Sequence, residues 1–128
     1  MVQKTGSGSL WEDIVGYSRA IRIGNVIEVA GTTAVDGDKI IGEGNVYEQA
    51  AFIFTKIEKA LNQLGSSVKD VVRTRMFVTN INEWEAVGKA HEEIFKDIKP
   101  VATMVEVRKL IDVRLLIEIE VTAIIDTA

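Results

Sequence analysis

The chain has 128 residues, a length that predicts one domain, with no cysteine and a formal net charge of −4 at pH 7. The lack of cysteine excludes disulfides, thiolate metal ligands and cysteine nucleophiles, and the acidic balance disfavours nucleic-acid binding through neutralised phosphates. No apolar run approaches the ~18 residues of a membrane span, and residues 1–8 lack the apolar stretch of a signal peptide, so we expect a cytoplasmic protein with no membrane partner.

The chain begins with a polar segment and a predicted hairpin. Residues 1–9 contain Gly and Ser without periodicity, which predicts a flexible arm before a single domain at residues 10–128. Two strand-like runs, 17–23 and 26–30, flank the turn dipeptide Gly24-Asn25. This pattern predicts a β-hairpin.

An amphipathic helix is the best-defined element of the sequence. It follows a short predicted strand at residues 39–41. Apolar residues recur at helical spacing between Asn45, a predicted N-cap, and Gly65, which suits the position after the C-cap. Gln49 and Lys56 fall on the polar face of this helix, and we expect both to face solvent.

The second half of the chain repeats strand and helix patterns. Residues 68–79 alternate like a strand. A second helix is predicted from an N-cap at Asn82, with Trp84 and His91 on its apolar stripe, and it ends before Pro100. The last two strands are predicted at residues 103–107 and 115–124.

The order of these elements, βββαβαββ, predicts an α+β fold with a mixed β-sheet and both helices on one face. The sequence contains no third layer to cover the other face of the sheet. We therefore expect association with further subunits, and the elements alone carry the interpretation no further.

Several polar residues are candidates for chemistry. Alternation places Glu118 and Glu120 on one face of the last strand, where crowding would raise the pKa of one carboxyl for acid–base work. The alternative is a solvated face, or salt bridges to Arg73 and Arg75. Two adjacent arginines in turn require a partner glutamate or an anionic ligand. His91 is the single histidine and builds no zinc site, which leaves a packed structural role or a proton carrier.

Ordered motifs across roughly residues 14–125 carry a family resemblance. They include Gly16-Tyr17-Ser18, Val29-Ala30-Gly31, Val105-Glu106-Val107 and Ile117-Glu118-Ile119-Glu120. With these motifs the chain resembles the Rid family, also called YjgF or endoribonuclease L-PSP. The resemblance implies a chorismate-mutase-like fold, a homotrimer whose sheets line a central core, and small-molecule clefts between subunits. It also implies hydrolysis of enamines or imines to a 2-keto acid and ammonia without a metal or an organic cofactor.

The resemblance assigns roles to individual residues. Glu118 matches the glutamate that positions the attacking water, and Tyr17 matches a tyrosine that lines the cleft. Ala102 stands where the family has the arginine that pairs with the substrate carboxylate, and the departure resembles an arginine-lacking subgroup. The predicted substrate-binding residues are Tyr17, Gly31, Arg75, His91, Thr103 and Met104.

Two functions remain open from the sequence. The first is a Rid-like hydrolase, or deaminase, of a small imine, enamine or related reactive metabolite, with Glu118 as the catalytic residue. The alternative is a non-catalytic, ligand-binding or regulatory trimer of the same fold, which Ala102 favours. The acidic charge and the single histidine argue against RNA cleavage.

Overall fold

The structure, a computed structural model, describes residues 1–127 and places a mixed sheet beside its helices. None of the helices in this range is long and apolar enough to cross a membrane. In chain order the elements are β1 (Val2–Thr5), α1 (Leu10–Val15), β2 (Ala20–Ile23), β3 (Val26–Thr32), β4 (Val35–Asp36), β5 (Lys39–Ile40), α2 (Val46–Gln63), β6 (Val71–Val78), α3 (Trp84–Phe95), β7 (Val101–Glu106) and β8 (Ile117–Ile124).

The main sheet has six strands in the order β1-β2-β3-β8-β6-β7, and β4 pairs only with β5. β6 and β7 run parallel, while the other neighbouring strands are antiparallel. Helix α2 packs against β3 and β8, and α3 packs against α2. The mixed sheet with two main helices on one face is therefore confirmed.

The first 16 residues differ from the prediction. Residues 2–5 form β1, which pairs with β2 from Val2↔Ile23 to Thr5↔Ala20, so this segment is not an unstructured arm. Helix α1 was not predicted, because six residues are too few to show periodicity. The predicted domain at residues 10–128 stays a prediction, and residue 128 lies outside the described residues.

The prediction for α2 is confirmed at both ends. The Asn45 side chain accepts a hydrogen bond from the backbone N–H of Glu48 at 3.0 Å, and Gly65 has φ +79° just after the helix. The apolar face of α2 is fully buried and forms the centre of the core.

Two polar residues of α2 lie inside rather than in solvent, which corrects the prediction. Gln49 is fully buried, and both polar atoms of its amide have partners there. Its Nε2 donates to the carbonyl of Arg114 (2.9 Å), and its Oε1 accepts from the N–H of Leu116 (2.8 Å). Lys56 is half-buried and its Nζ donates to two backbone carbonyls near β4. Burial lowers its pKa, and the charge of Arg19 adds to this effect.

The start of α3 also differs from the prediction. Asn80, not Asn82, acts as a cap, and it caps a short 3-10 turn that precedes the helix. The residue before α3, Glu83, makes no side-chain capping bond. Trp84 is 56% exposed although its spacing placed it on the apolar stripe, whereas Phe95 is buried.

The face of the sheet opposite the helices, here called the open face, is uncovered by any element within residues 1–127. Along β8, buried residues from Ile117 to Ala123 point to the helices and alternate with half-buried ones on the open face. Apolar side chains are exposed on the open face as well: Val2, Ile23, Val26, Val101, Val105 and Ile124. Exposed apolar surface of this kind fits the predicted subunit contact.

Candidate functional site

Glu118 and Glu120 lie side by side on the open face, as alternation predicts. β8 pairs with β6 so that Glu118 is opposite Phe77 and Glu120 is opposite Arg75. Glu118 is half-buried, and burial raises its pKa. The negative charge of Glu120 raises it further, while the positive charge of Arg19 acts in the opposite direction.

Gly31 makes room for the Glu118 side chain. The pairing of β3 with β8 shifts register between Val29 and Thr32, and Gly31 lies in this irregular stretch. A Cβ at Gly31 would lie 2.9 Å from Cδ of Glu118, which is closer than carbon atoms pack. The glycine therefore allows the carboxylate to lie against the backbone of β3.

A buried arginine, which the sequence analysis did not select, connects this stretch to Tyr17. Arg19 is 8% exposed, and its Nη1 donates to the Gly31 carbonyl (2.8 Å) and to the Thr32 hydroxyl (2.9 Å). Its Nη2 lies 3.3 Å from the Tyr17 hydroxyl oxygen. The guanidinium carbon lies 5.6 Å from the centroid of the Tyr17 ring.

Glu12 of α1 is the ionic partner of this arginine. Its carboxylate lies 3.5 Å from Arg19 Nε, and both side chains are 9% exposed. Glu12 also accepts hydrogen bonds from the backbone and the hydroxyl of Ser7. Burial raises the pKa of Glu12, but the Ser7 bonds and the Arg19 charge outweigh burial, so the pKa is lowered. The signal in the sequence for the Glu12–Arg19 pair was the position of Arg19 between two small residues, Ser18 and Ala20, in a predicted strand.

Tyr17 and Arg75 line a shallow groove of about 480 Å³ on the open face. Arg75 Nη1 lies 3.7 Å from the Glu120 carboxylate. Of the two glutamates expected as possible partners of Arg75, the structure therefore pairs it with Glu120 and not with Glu118. Both side chains are more than a third exposed, so this ion pair contributes little stability. Glu118 is not among the groove's lining residues, but Ala30, the neighbour of Gly31, is.

His91 lies on the helix side of the sheet. Its Nε2 is 2.8 Å from the hydroxyl of Thr74, a residue of β6 with no exposed surface. Its ring contacts Phe95 with centroids 4.7 Å apart and Phe54 edge-on at 5.9 Å. Burial lowers the pKa of His91. The packed, hydrogen-bonded environment matches the structural alternative, and His91 also borders a second groove of about 460 Å³ beside Pro100.

The remaining predicted residues divide between the two faces of β7. Thr103 pairs with Arg75 and shares the open face, whereas Met104 pairs with Met76 on the helix side. Ala102 pairs with Thr74 and so lies on the side of His91. One chain thus gathers Tyr17, Gly31, Arg75, Thr103 and Glu118 on one face, and His91 with Met104 on the other.

Within residues 1–127, no group of three or more His, Asp or Glu side chains is arranged to hold a metal ion. The chemically distinctive features are therefore the half-buried Glu118 beside Gly31, the buried Arg19 with its bonds, and the groove next to them.

Comparison with known proteins gives consistent matches. The family model for endoribonuclease L-PSP matches residues 10–125. A protein of Streptomyces coelicolor with no assigned function is 40% identical over 122 residues, covering 95% of this chain and 91% of that protein. A RutC family protein of Pyrococcus abyssi is 33% identical over 95 residues, covering 73% of this chain and 75% of that protein.

Solved structures match over nearly the whole chain. Rv2704 of Mycobacterium tuberculosis, described as a member of the YjgF family, superimposes with a TM-score of 0.89 at 44% identity, covering 98% of this chain and 100% of that one. YyfA of Yersinia pestis, described as a Rid family protein of unknown function, gives 0.84 at 26% identity, covering 98% and 100%.

Proposed function

The chain belongs to the endoribonuclease L-PSP family, also called the YjgF or Rid family, and from this premise we propose that it hydrolyses a small imine or enamine. The reaction would convert the C=N group of a reactive metabolite to a ketone and ammonia. Glu118 is the proposed catalytic residue. Tyr17 and Arg75 are the proposed binding residues on the same face of the sheet.

The observation that carries the proposal is the environment of Glu118. Its carboxyl is half-buried, it lies against Gly31, and burial raises its pKa. A carboxylate whose pKa is raised is a stronger base, and bases with a pKa nearer the working pH transfer protons most efficiently. Perturbed carboxyl groups beside a groove are typical of catalytic sites.

The proposed chemistry needs only a water molecule and this carboxylate. The water oxygen attacks the imine carbon, the C=N electron pair moves to nitrogen, and Glu118 takes the proton that the water loses. Glu118 then returns this proton to nitrogen. The C–N bond breaks as the ketone forms, and ammonia leaves with the remaining hydroxyl proton transferred through the same carboxylate.

The distribution of residues over two faces supports a cleft between subunits. Glu118 and Tyr17 lie on the open face, while His91 and Met104 lie on the helix side, and the sheet separates them. A second chain that packs its helix side against this open face would bring the two sets together. The exposed apolar residues of the open face fit the proposed homotrimer.

Imine hydrolysis in the presence of a trap tests the proposal. An amino-acid oxidase generates 2-iminopropionate, and semicarbazide captures whatever the protein has not hydrolysed. We expect the wild-type protein to compete with the trap and Glu118→Gln to lose at least ~100-fold, the lower range for a lost general base. Glu58→Gln is the control, because it removes an exposed carboxylate of α2, on the helix side of the sheet and outside the groove. Equal losses in the two variants would contradict the role of Glu118.

A non-catalytic ligand-binding trimer is the second candidate, and one residue favours it. Ala102 replaces the arginine that the family resemblance places at the substrate carboxylate, and its small side chain supplies no charge. If the wild-type protein is inert and Ala102→Arg hydrolyses 2-iminopropionate, this chain has abandoned that substrate. Saturable binding of small carboxylates without turnover would then support the second candidate.

We do not propose ribonuclease activity despite the name of the family model. The chain carries a net charge of −4, which opposes binding of a polyanion. Its single histidine is packed between Phe54 and Phe95 and bonded to Thr74.

A further inference from the structure

The hydrogen bond between Arg19 and Tyr17 has a fixed direction. A guanidinium carries only donors, so the Tyr17 oxygen must accept the bond from Arg19 Nη2 at 3.3 Å. The hydroxyl hydrogen of Tyr17 is then left to donate elsewhere. No acceptor for it is found within residues 1–127, and Tyr17 is 37% exposed in the wall of the groove.

Arg19 itself is held in place from three sides. Glu12 lies against Nε, while the Gly31 carbonyl and the Thr32 hydroxyl accept from Nη1. The guanidinium plane therefore has little freedom, and neither has the atom that reaches Tyr17. Because Gly31 is also the residue against which Glu118 lies, one guanidinium connects the proposed binding residue to the backbone beside the proposed base.

We propose that Arg19, held by Glu12, is a positioning residue that orients the Tyr17 hydroxyl to donate its hydrogen to a carboxylate or carbonyl oxygen of a ligand in the groove. The identity of the ligand rests on the proposed function, whereas the orientation of Tyr17 does not. Arg19 thus compensates in part for the missing family arginine, through a neutral donor rather than through its own charge.

A double-mutant cycle tests whether Arg19 acts through Tyr17. The measured quantities are the dissociation constant of pyruvate, by calorimetry, and the Michaelis constant for hydrolysis of the imine generated by the oxidase. We expect Tyr17→Phe and Arg19→Gln each to weaken binding roughly tenfold, as for the loss of one hydrogen bond, and the double variant to be no weaker than either single one. Effects that multiply in the double variant would overturn the proposal.

Arg19→Lys separates positioning from folding. Lysine keeps a positive charge near Glu12, but its single ammonium group does not reproduce the rigid fork that joins Gly31 to Tyr17. We expect this variant to keep its melting temperature better than Arg19→Gln and still to lose affinity roughly tenfold. Full affinity in Arg19→Lys would overturn the proposal. Arg114→Gln, which removes an exposed ion pair with Asp112, is the control and should leave the dissociation constant unchanged.

A second readout needs no ligand and distinguishes this inference from the proposed function. The chain has two tyrosines, so labelling their Cζ atoms with ¹³C gives two signals. Glu93→Gln assigns the signal of Tyr47, whose hydroxyl bonds to Glu93. Arg19→Gln should shift the Tyr17 signal alone. A Tyr17 signal that Arg19→Gln leaves unmoved overturns the inference. If Arg19→Gln shifts the signal but the wild-type protein neither binds nor hydrolyses the imine, only the proposed function is refuted.

Discussion

Replacing Gln49 by leucine should destabilise the protein strongly although the two side chains are similar in size. The change leaves the Arg114 carbonyl and the Leu116 N–H, two part-buried groups, without their hydrogen-bond partners. Each unsatisfied buried group costs about 1–3 kcal/mol. Burial of the leucine returns about 1.5–3 kcal/mol, so we expect a net loss of about 2 kcal/mol in the free energy of unfolding.

Urea unfolding at one fixed protein concentration measures this loss, since the proposed association of subunits would make the apparent stability depend on concentration. Gln63→Leu is the matched control, because Gln63 lies on the same helix but is exposed, where it accepts a bond from Thr5 (2.6 Å). We expect the control to change stability by less than about 0.5 kcal/mol. Equal effects of the two substitutions would refute the argument that Gln49 anchors the chain before β8.

Three further predictions concern the site and its neighbourhood. Burial raises the pKa of Glu118, so the ionised carboxylate lowers the free energy of unfolding at pH values above the ordinary pKa of a glutamate. Calorimetry should therefore show that Glu118→Gln melts at a higher temperature than the wild type at pH 7 and at no higher temperature at pH 4. Burial lowers the pKa of His91, so the wild type loses stability as the pH falls below about 6.5; His91→Gln should lose less between pH 7 and 5, and parallel melting curves would contradict this. Gly31→Ala should displace the Glu118 carboxylate and reduce imine hydrolysis, whereas Gly88→Ala, with open space around its Cβ, should raise the melting temperature through helix propensity; a fully active Gly31→Ala would count against the close packing of Glu118 on this glycine.

The sequence predicted the long elements because their signals are local. The caps of α2 at Asn45 and Gly65, and the alternation of β8 that places Glu118 beside Glu120, are each readable within a few residues. The short elements β1 and α1 carry too few residues to show a period. β1 in particular exists because it pairs with β2, which no local pattern reveals.

The candidate site was predictable only in part, for a related reason. The resemblance supplied Tyr17 and Glu118, but Arg19 and Gln49 depend on partners that only the folded chain brings near. Gln49 bonds to groups 65 and 67 residues away, and Arg19 reaches across the irregular stretch of β3 to the Gly31 carbonyl. Helical spacing therefore assigned Gln49 to solvent, and the structure assigns it to the core.

The sheet that lies between Glu118 and His91 has a genetic consequence under the proposed function. Inactivating alleles should then fall into two classes, those that damage the open-face half of the proposed cleft and those that damage its helix-side half. A subunit of one class keeps the half that the other class has lost. Cells that express one allele of each class should assemble mixed oligomers in which some interfaces join two undamaged halves, and so recover activity that neither allele provides alone.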